Sequence, residues 1–500
     1  MPFYIIIIIF EKMSIETGQI FLLTPIKKGD IIKNKKKSST KREESGLQRK
    51  QKKLFFGRLS TGQKIVFVFL GIILLGTLLL MLPVSSRDGN SCGILTALFT
   101  ATSSTCVTGL IMADTWVQWS GFGQIVLLCL IELGGLGFMS AVVLAATLLK
   151  RRVGMREQQV ITSMLGIDDS RRLFDVQKRV LTCGVLTEAV GAVLLTVRFL
   201  FKYDFLTSLK LGVFHSVSAF CNAGFDILGF ETPGQSLVPY GKDPFVCITL
   251  ALLIILGGIG FFVWDEVLRN PSPKKWSVYT RLVLFTTAGL LLAGTVLTLL
   301  VEWNNPLTLG AMTVPEKINA AFFQSATLRT AGFAGIDQGA LTEAGKGISI
   351  FFMLIGGSSG STAGGLKTVT LIVLVLFLFS RAKGESQVRV MNRTIPDKSV
   401  LDAITICGIM VGLLFGGAAV LCATTPGVAF TDALYETTSA IATVGLTTGI
   451  TPHLSIASKL LLIVYMFFGR VGVLTISLGF LKGKKGSDDI HFAETHLMIG

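Results

Sequence analysis

Eight long apolar runs, paired around four shorter semi-polar stretches, dominate this 500-residue sequence. The runs begin near Ile65, Gln124, Val180, Pro244, Leu282, Gly347, Ile404 and Ser458, and end near Leu82, Leu149, Phe201, Leu268, Val301, Phe379, Ala423 and Leu481. Each approaches or exceeds the ~20 residues a helix needs to cross a hydrocarbon core. The intervening stretches, 92–110, 206–225, 315–333 and 430–446, are too short to cross but apolar enough to enter. With 15% charged residues, against about 25% in a soluble domain, the chain lacks the surface of a secreted enzyme, a nucleic-acid binder or a disordered scaffold. It reads as an all-α integral membrane protein whose first partner is the lipid bilayer.

The short stretches align on one glycine each: Gly109, Gly224, Gly332 and Gly445, separated by 115, 108 and 113 residues. Ten positions earlier stand Phe99, Phe214, Phe322 and Tyr435, and six positions earlier Ser103, Ser218, Ala326 and Ser439. Leu110, Phe225, Phe333 and Leu446 follow directly. A second glycine-containing marker lies downstream in each case: GGLGF from Gly134, GGIGF from Gly257, GGSSG from Gly356 and GRVGV from Gly469. Columns repeating at one period mean repeated units, here four copies of helix, re-entrant segment, helix.

Charge sets the orientation. The loops joining the copies are basic, and thirteen Lys/Arg stand against three acidic residues between Lys27 and Arg58. The positive-inside bias puts these loops, and therefore both termini, in the cytoplasm. The expected organisation is a basic segment 1–60, repeats at 61–152, 176–270, 278–382 and 399–482, and a tail at 483–500. The opening MPFYIIIIIF has no basic n-region and is too short to span, so Met13 is an alternative start. The eight cysteines form no CxxC pair and read as small apolar fillers.

Unpaired backbone cannot face lipid, so non-helical segments in a membrane must line water or lie buried in protein. Four such segments meeting around an axis offer carbonyl oxygens in place of a cation's hydration shell. Glycine supplies the backbone angles that inward carbonyls demand, and the short helices before them aim their negative ends at the centre.

With its four aligned glycines, TAGF in the third copy and the Gly/Ser-rich break in the helix after it, the chain resembles the Trk/Ktr/HKT superfamily of potassium transporters over roughly residues 60–500. It is most similar to the Ktr-type membrane subunit, since Trk-type subunits carry extra N-terminal spans where this chain has a basic tail. The resemblance implies potassium uptake at the cell membrane, a homodimer, and control by a cytosolic nucleotide-binding ring on a separate chain. Potassium would be the transported ion, with sodium as a candidate activator and no bound cofactor, further metal or nucleic acid. It also assigns a selectivity filter: Thr105, Cys106, Val107, Thr108 and Gly109 in the first copy, and Phe220, Cys221, Asn222, Ala223 and Gly224 in the second. The third gives Leu328, Arg329, Thr330, Ala331 and Gly332, and the fourth Ile441, Ala442, Thr443, Val444 and Gly445. Plant relatives with serine at the first filter glycine favour sodium, so Gly109 points to potassium.

The run from Gly347 is interrupted by Gly356, Gly357, Ser358, Ser359, Gly360, Ser361, Thr362, Ala363, Gly364, Gly365, Leu366 and Lys367. At about 1 kcal/mol lost per glycine relative to alanine, no stable helix survives there. The family assigns this intramembrane loop, 356–367, to gating. A phosphate-loop reading fails because Leu366 separates Gly365 from Lys367. Arg470 stands inside the last run, where an arginine is expensive and faces protein or water. Its expected role is to bind the loop's carbonyls or hydroxyls and place positive charge in the ion path. Glu132 is read as structural, His215 as structural, and Arg329 as tied to nearby carbonyls or a carboxylate. Asp114, Asp226 and Asp337 could form an acidic outer mouth or cap local turns. The alternative function, a sodium- or proton-coupled symporter with alternating access, lacks the inverted repeats such folds use.

Overall fold

The computed structural model describes residues 61–136 and 173–472, and those from Val68 to Arg470 form one compact unit. The basic segment 1–60, the end of the second run with most of the loop after it, and the chain beyond 472 lie outside the described residues. The rest is almost entirely helical, in one order used four times: a helix, a short helix, an irregular strand, and another helix. The first copy contains α1 (Thr61–Leu80), α2 (Ile94–Thr105) and α3 (Gly121–Gly135). The second contains α4 (Leu173–Phe199), α5 (Phe205–Phe220) and a bent pair, α6 (Pro244–Ile259) and α7 (Phe261–Arg269). The third contains α8 (Val278–Glu302), α9 (Val314–Thr327), α10 (Glu343–Leu354) and α11 (Thr368–Ala382). A small hairpin, β1 (Arg389–Val390) on β2 (Arg393–Thr394), leads to α12 (Asp397–Thr424), α13 (Phe430–Ile441) and α14 (Ile456–Val471).

Local chemistry starts these helices where the sequence turns polar. Asp204 Oδ2 accepts from the Leu206 and Thr207 amides at 3.1 Å and opens α5. At α6, Asp243 does the same ahead of Pro244, which loses nothing at a first helical position because its missing N–H would be unpaired there. Thr313 and Glu316 open α9 reciprocally, the carboxylate accepting from the Thr313 amide at 2.8 Å.

The packing is inverted relative to a soluble bundle. On α8 the buried positions are Thr280, Val283, Thr287, Gly294, Thr298 and Glu302, while Phe285, Leu292 and Leu300 are about 70% exposed (73%, 68% and 72%). Apolar side chains outward and small or hydroxyl side chains inward suit a hydrocarbon surround, where helices associate through small and hydrogen-bonding residues.

By length and apolarity, three helices among the described residues can cross a bilayer: α4 from Arg179, α8 and α12. The α6–α7 pair makes a fourth if its 94° bend is counted within one span. Eight spans were expected from the apolar runs, one of them interrupted at residues 356–367, and the difference has local causes. The run from Pro244 breaks at Gly260, whose φ is +101°. The run from Gly347 begins earlier, at Glu343, and breaks between Leu354 and Thr368. Two boundaries also move: α4 begins at Leu173 rather than 176, and α12 at Asp397 rather than 399.

Candidate functional site

The four short helices α2, α5, α9 and α13 end at Thr105, Phe220, Thr327 and Ile441, four or five residues before the aligned glycines. Thr105, Phe220 and Ile441 are therefore the last helical residues, and the irregular strand proper starts one position later. In every copy two positions take left-handed backbone angles. Val107, Asn222, Thr330 and Thr443 have φ of +56°, +57°, +64° and +52°, and the glycines two residues on have +97°, +69°, +82° and +94°. Such angles in non-glycine residues cost of order 1–3 kcal/mol each and cluster where a function requires them.

The glycines face one another. A Cβ on Gly109 would come within 2.5 Å of Ala223 O, and within 3.2 and 3.3 Å of the Gly224 and Gly445 Cα atoms. On Gly224 it would meet Gly332 Cα at 2.6 Å; on Gly332, Val444 O at 2.6 Å; on Gly445, Thr108 O. The four strands therefore converge on one ring, with no room for a side chain at any of the four glycines.

Hydroxyls hold the strands. Gly109 and Gly445 donate to Ser103 Oγ and Ser439 Oγ at 3.1 and 3.0 Å. In the second copy Ser218 Oγ instead donates to Phe225 O at 2.7 Å. Ala326 has no hydroxyl to offer in the third, and Thr327 donates to Phe333 O at 2.8 Å in its place. Among the described residues, the Thr105, Thr108, Thr330 and Thr443 hydroxyls are buried without a protein partner, leaving their oxygens available to a ligand.

The downstream glycines have a geometric reason. A Cβ on Gly134 would strike Thr105 O, one on Gly257 Phe220 O, and one on Gly469 Ile441 O. In three copies the following helix thus presses a bare backbone on the last carbonyl of the short helix.

The 356–367 loop packs against the end of the short helix in the second copy and the strand of the fourth. Its neck is closed: the Gly356 amide donates to Leu366 O at 2.9 Å, and the Leu366 amide to Leu354 O at 3.0 Å. Ser358 and Thr362 donate from their amides to Gly258 O and Gly257 O at 2.9 and 3.2 Å, and Phe261 donates to Gly360 O at 2.8 Å. The loop thus caps the end of α6 at the Gly260 bend. Thr362 Oγ1 donates to Phe220 O at 3.1 Å, and a Cβ on Gly364 would run into Thr443. Lys367 Nζ donates to Ala363 O at 2.9 Å, within the loop.

Arg470, from α14, donates through Nη1 to Thr362 O and through Nη2 to Gly134 O and, at 3.0 Å, to Gly135 O. One guanidinium therefore links the loop of the third copy to α3 of the first. Arg329 Nη2 donates to Gly356 O at 3.3 Å. Among the described residues, Arg329, Lys367 and Arg470 make no ion pair.

Other titratable residues sort by their partners. Asp114 accepts from the Trp116 and Val117 amides and from Gly234 N; Asp226 and Asp337 accept from Leu228 N and Gly339 N. All three hold turns. The buried His215 ring contacts Leu211 O at 2.8 Å and lies between Phe199, Phe214 and Phe333. Glu132 meets two groups that periodicity did not reveal: its carboxylate, that of Glu188 and the Cys221 thiol lie with ligand atoms within 4.8 Å of one another, all buried. Three donors are fewer than the six to eight oxygens calcium takes, and they suit a small cation only with further ligands. Glu188 sits in the middle of an apolar run, and that isolated charge was the one available signal.

The family pattern "TrkH: Cation transport protein" matches residues 42–488. The chain belongs to the TrkH cation transport family. This is a family of transport proteins, not of enzymes. Among its relatives, the potassium/sodium uptake protein NtpJ of Enterococcus hirae is 37% identical over 449 residues, covering 89% of this chain and 98% of the relative. The Ktr system potassium uptake protein B of Bacillus subtilis is 34% identical over 438 residues, covering 88% of this chain and 97% of its own length. The Vibrio alginolyticus protein of the same name is 38% identical over 415 residues, covering 83% and 90%. The crystal structure of the potassium transporter TrkH from Vibrio parahaemolyticus shares the fold, with a TM-score of 0.63 at 19% identity over 82% of this chain and 83% of that one. The chain thus has a helical membrane fold of the TrkH type.

Proposed function

We propose that this TrkH-family chain carries potassium into the cell through the glycine ring. In this reading the eight apolar runs form four pore repeats around a central path in the plasma membrane, with both termini cytoplasmic. The filter is lined by residues 105–109, 220–224, 328–332 and 441–445, whose carbonyls substitute for water around the ion. The convergence of four bare glycines, each too close to a neighbouring strand for a Cβ, carries the reading. The names of three relatives, each a potassium or potassium/sodium uptake protein, support the choice of ion.

The loop 356–367 and Arg470 act as the gate. The loop's buried position against Phe220 and Thr443 and the arginine's bridge from Thr362 to Gly134 support that role. Relatives named for a Ktr system support partner chains, here a second copy of this chain and a cytosolic nucleotide-binding ring. Sodium is the activating ion in this reading; the Enterococcus relative is named as an uptake protein for both potassium and sodium. The test is flux of potassium and of sodium into vesicles containing the purified chain. Potassium influx exceeding sodium influx is expected, and equal or absent influx of both, with the loop deleted, would refute it.

A further inference from the structure

Two cations share one indole ring: Arg87 Cζ lies 4.3 Å and Lys210 Nζ 4.6 Å from the Trp116 ring centroid. Arg87 comes from the loop after α1, Trp116 from the segment after the first strand, and Lys210 from α5 of the second copy. The ring is fixed in place. The Trp116 amide donates to Asp114 Oδ1 at 2.9 Å, the indole packs on Phe230 with centroids 5.0 Å apart, and the Arg87 amide donates to Gln118 O at 2.9 Å. Both cations are exposed, and among the described residues neither lies within ion-pair distance of a carboxylate. The acids nearest in sequence are engaged by backbone amides: Asp88 by Asn90, Asp114 by Trp116, Val117 and Gly234, and Asp204 by Leu206 and Thr207. Arg198 and Lys202, shortly before α5 in the chain, instead pair with Asp243 and Glu231 at 2.8 Å.

Like charges held on one ring repel each other, and an anion beside them reverses the sign of that interaction. The surroundings select the anion. Val84, Val117 and Leu206 are 68%, 52% and 73% exposed, and Leu206 stands one helical turn before Lys210, on the same face of α5. The loop that carries Arg87 follows the apolar helix α1, which ends at Leu80, so the pair stands where a spanning helix leaves the hydrocarbon. A tryptophan flanked by basic side chains suits that boundary. A soluble anion would leave the apolar side chains in water, whereas a phospholipid covers them with its acyl chains and brings its phosphate to the cations. A zwitterionic headgroup would set its own ammonium against the same two charges. We propose that Arg87, Trp116 and Lys210 bind the headgroup of one anionic phospholipid. Because Arg87 belongs to the first copy and Lys210 to the second, the lipid joins two copies at the membrane surface. The binding does not depend on what the ring conducts.

The test is native mass spectrometry of the full-length protein in detergent, titrated with phosphatidylglycerol, phosphatidylcholine or inorganic phosphate. Wild type is compared with the double variant Arg87→Gln, Lys210→Gln. Both changes fall at exposed positions, and an unchanged thermal midpoint in phosphatidylcholine verifies that the variant folds; Lys210→Gln alone is read in the same way if it does not. At the phosphatidylglycerol concentration that saturates the wild type, the variant should retain one molecule of that lipid fewer, with phosphatidylcholine retention unchanged. It should regain that molecule only at roughly tenfold higher lipid or more, the loss expected for two surface cations. Basic segments elsewhere are identical in the two proteins, so the difference reports this site. The same phosphatidylglycerol count in both proteins would overturn the proposal. So would an equal loss of phosphatidylcholine, since the cations would then not be selecting an anionic lipid. A phosphate adduct on lipid-free wild type that the variant lacks would also overturn it, making the ligand a soluble anion.

Discussion

Gly134, Gly257 and Gly469 each place bare backbone against the last carbonyl of a short helix, a close approach that one methyl group prevents. Gly257→Ala would drive a Cβ into Phe220 O and also within 2.8 Å of Thr362 Oγ1. Overpacking of this kind costs about 1–3 kcal/mol. The variant should therefore lose thermal stability and potassium flux together. Gly289→Ala in α8, where a Cβ meets nothing within 4 Å, should be neutral or slightly stabilising; both are read by thermal unfolding and vesicle flux. A second residue-scale prediction concerns pH. Burial and the nearby charge of Asp114 push the Asp226 carboxyl up to about 6. Below that pH it is neutral and no longer draws cations toward the ring. Influx should therefore fall as external pH drops through 6, and Asp226→Asn should remove that inflection. The sign for stability is the reverse: the native state binds the proton more tightly than the unfolded chain, so this group's ionisation weakens the fold as pH rises from the ordinary 3.8 to about 6.

Among the elements, the 356–367 loop departs most from regular structure, yet it is tightly engaged. Its neck closes on itself, its centre caps α6, and Arg470 ties it to α3. One guanidinium joins the loop to the first copy, and a single substitution removes that link. Arg470→Gln should raise potassium flux roughly tenfold or more at unchanged protein level, since a hydrogen bond to a charged group is worth about 1.5–3 kcal/mol. Unchanged or lower flux in the folded variant would count against the arginine as a gate. This region also marks the limit of what the residues could reveal. Five glycines among residues 356–367 announce a break, since each local preference opposes a helix. The bend at Gly260 was not legible, because its cause is 100 residues away: the Gly360 carbonyl that accepts from Phe261. The grouping of Glu132 with Glu188 and Cys221 was hidden for the same reason.

Across the whole molecule, fourfold repetition is what the sequence expressed most clearly. The aligned glycines, the preceding serines and the aromatic column are constraints that each copy meets locally, so they recur at fixed offsets. The third copy shows how the pattern bends: Ala326 replaces the serine, and Thr327 supplies the hydroxyl one position later. The number of spans was less legible. The apolar runs give their lengths but not their bends, and the ends of the second and last runs lie outside the described residues. What unites the copies is their meeting point, where four strands with the same pair of left-handed positions exclude every side chain from the ring. The most direct test is the potassium-to-sodium flux ratio in vesicles, wild type against Gly332→Ser. The ring account predicts that the ratio collapses in the variant, because a side chain at Gly332 must displace Val444 O or the facing Gly224. A folded Gly332→Ser variant that keeps the wild-type ratio would contradict it.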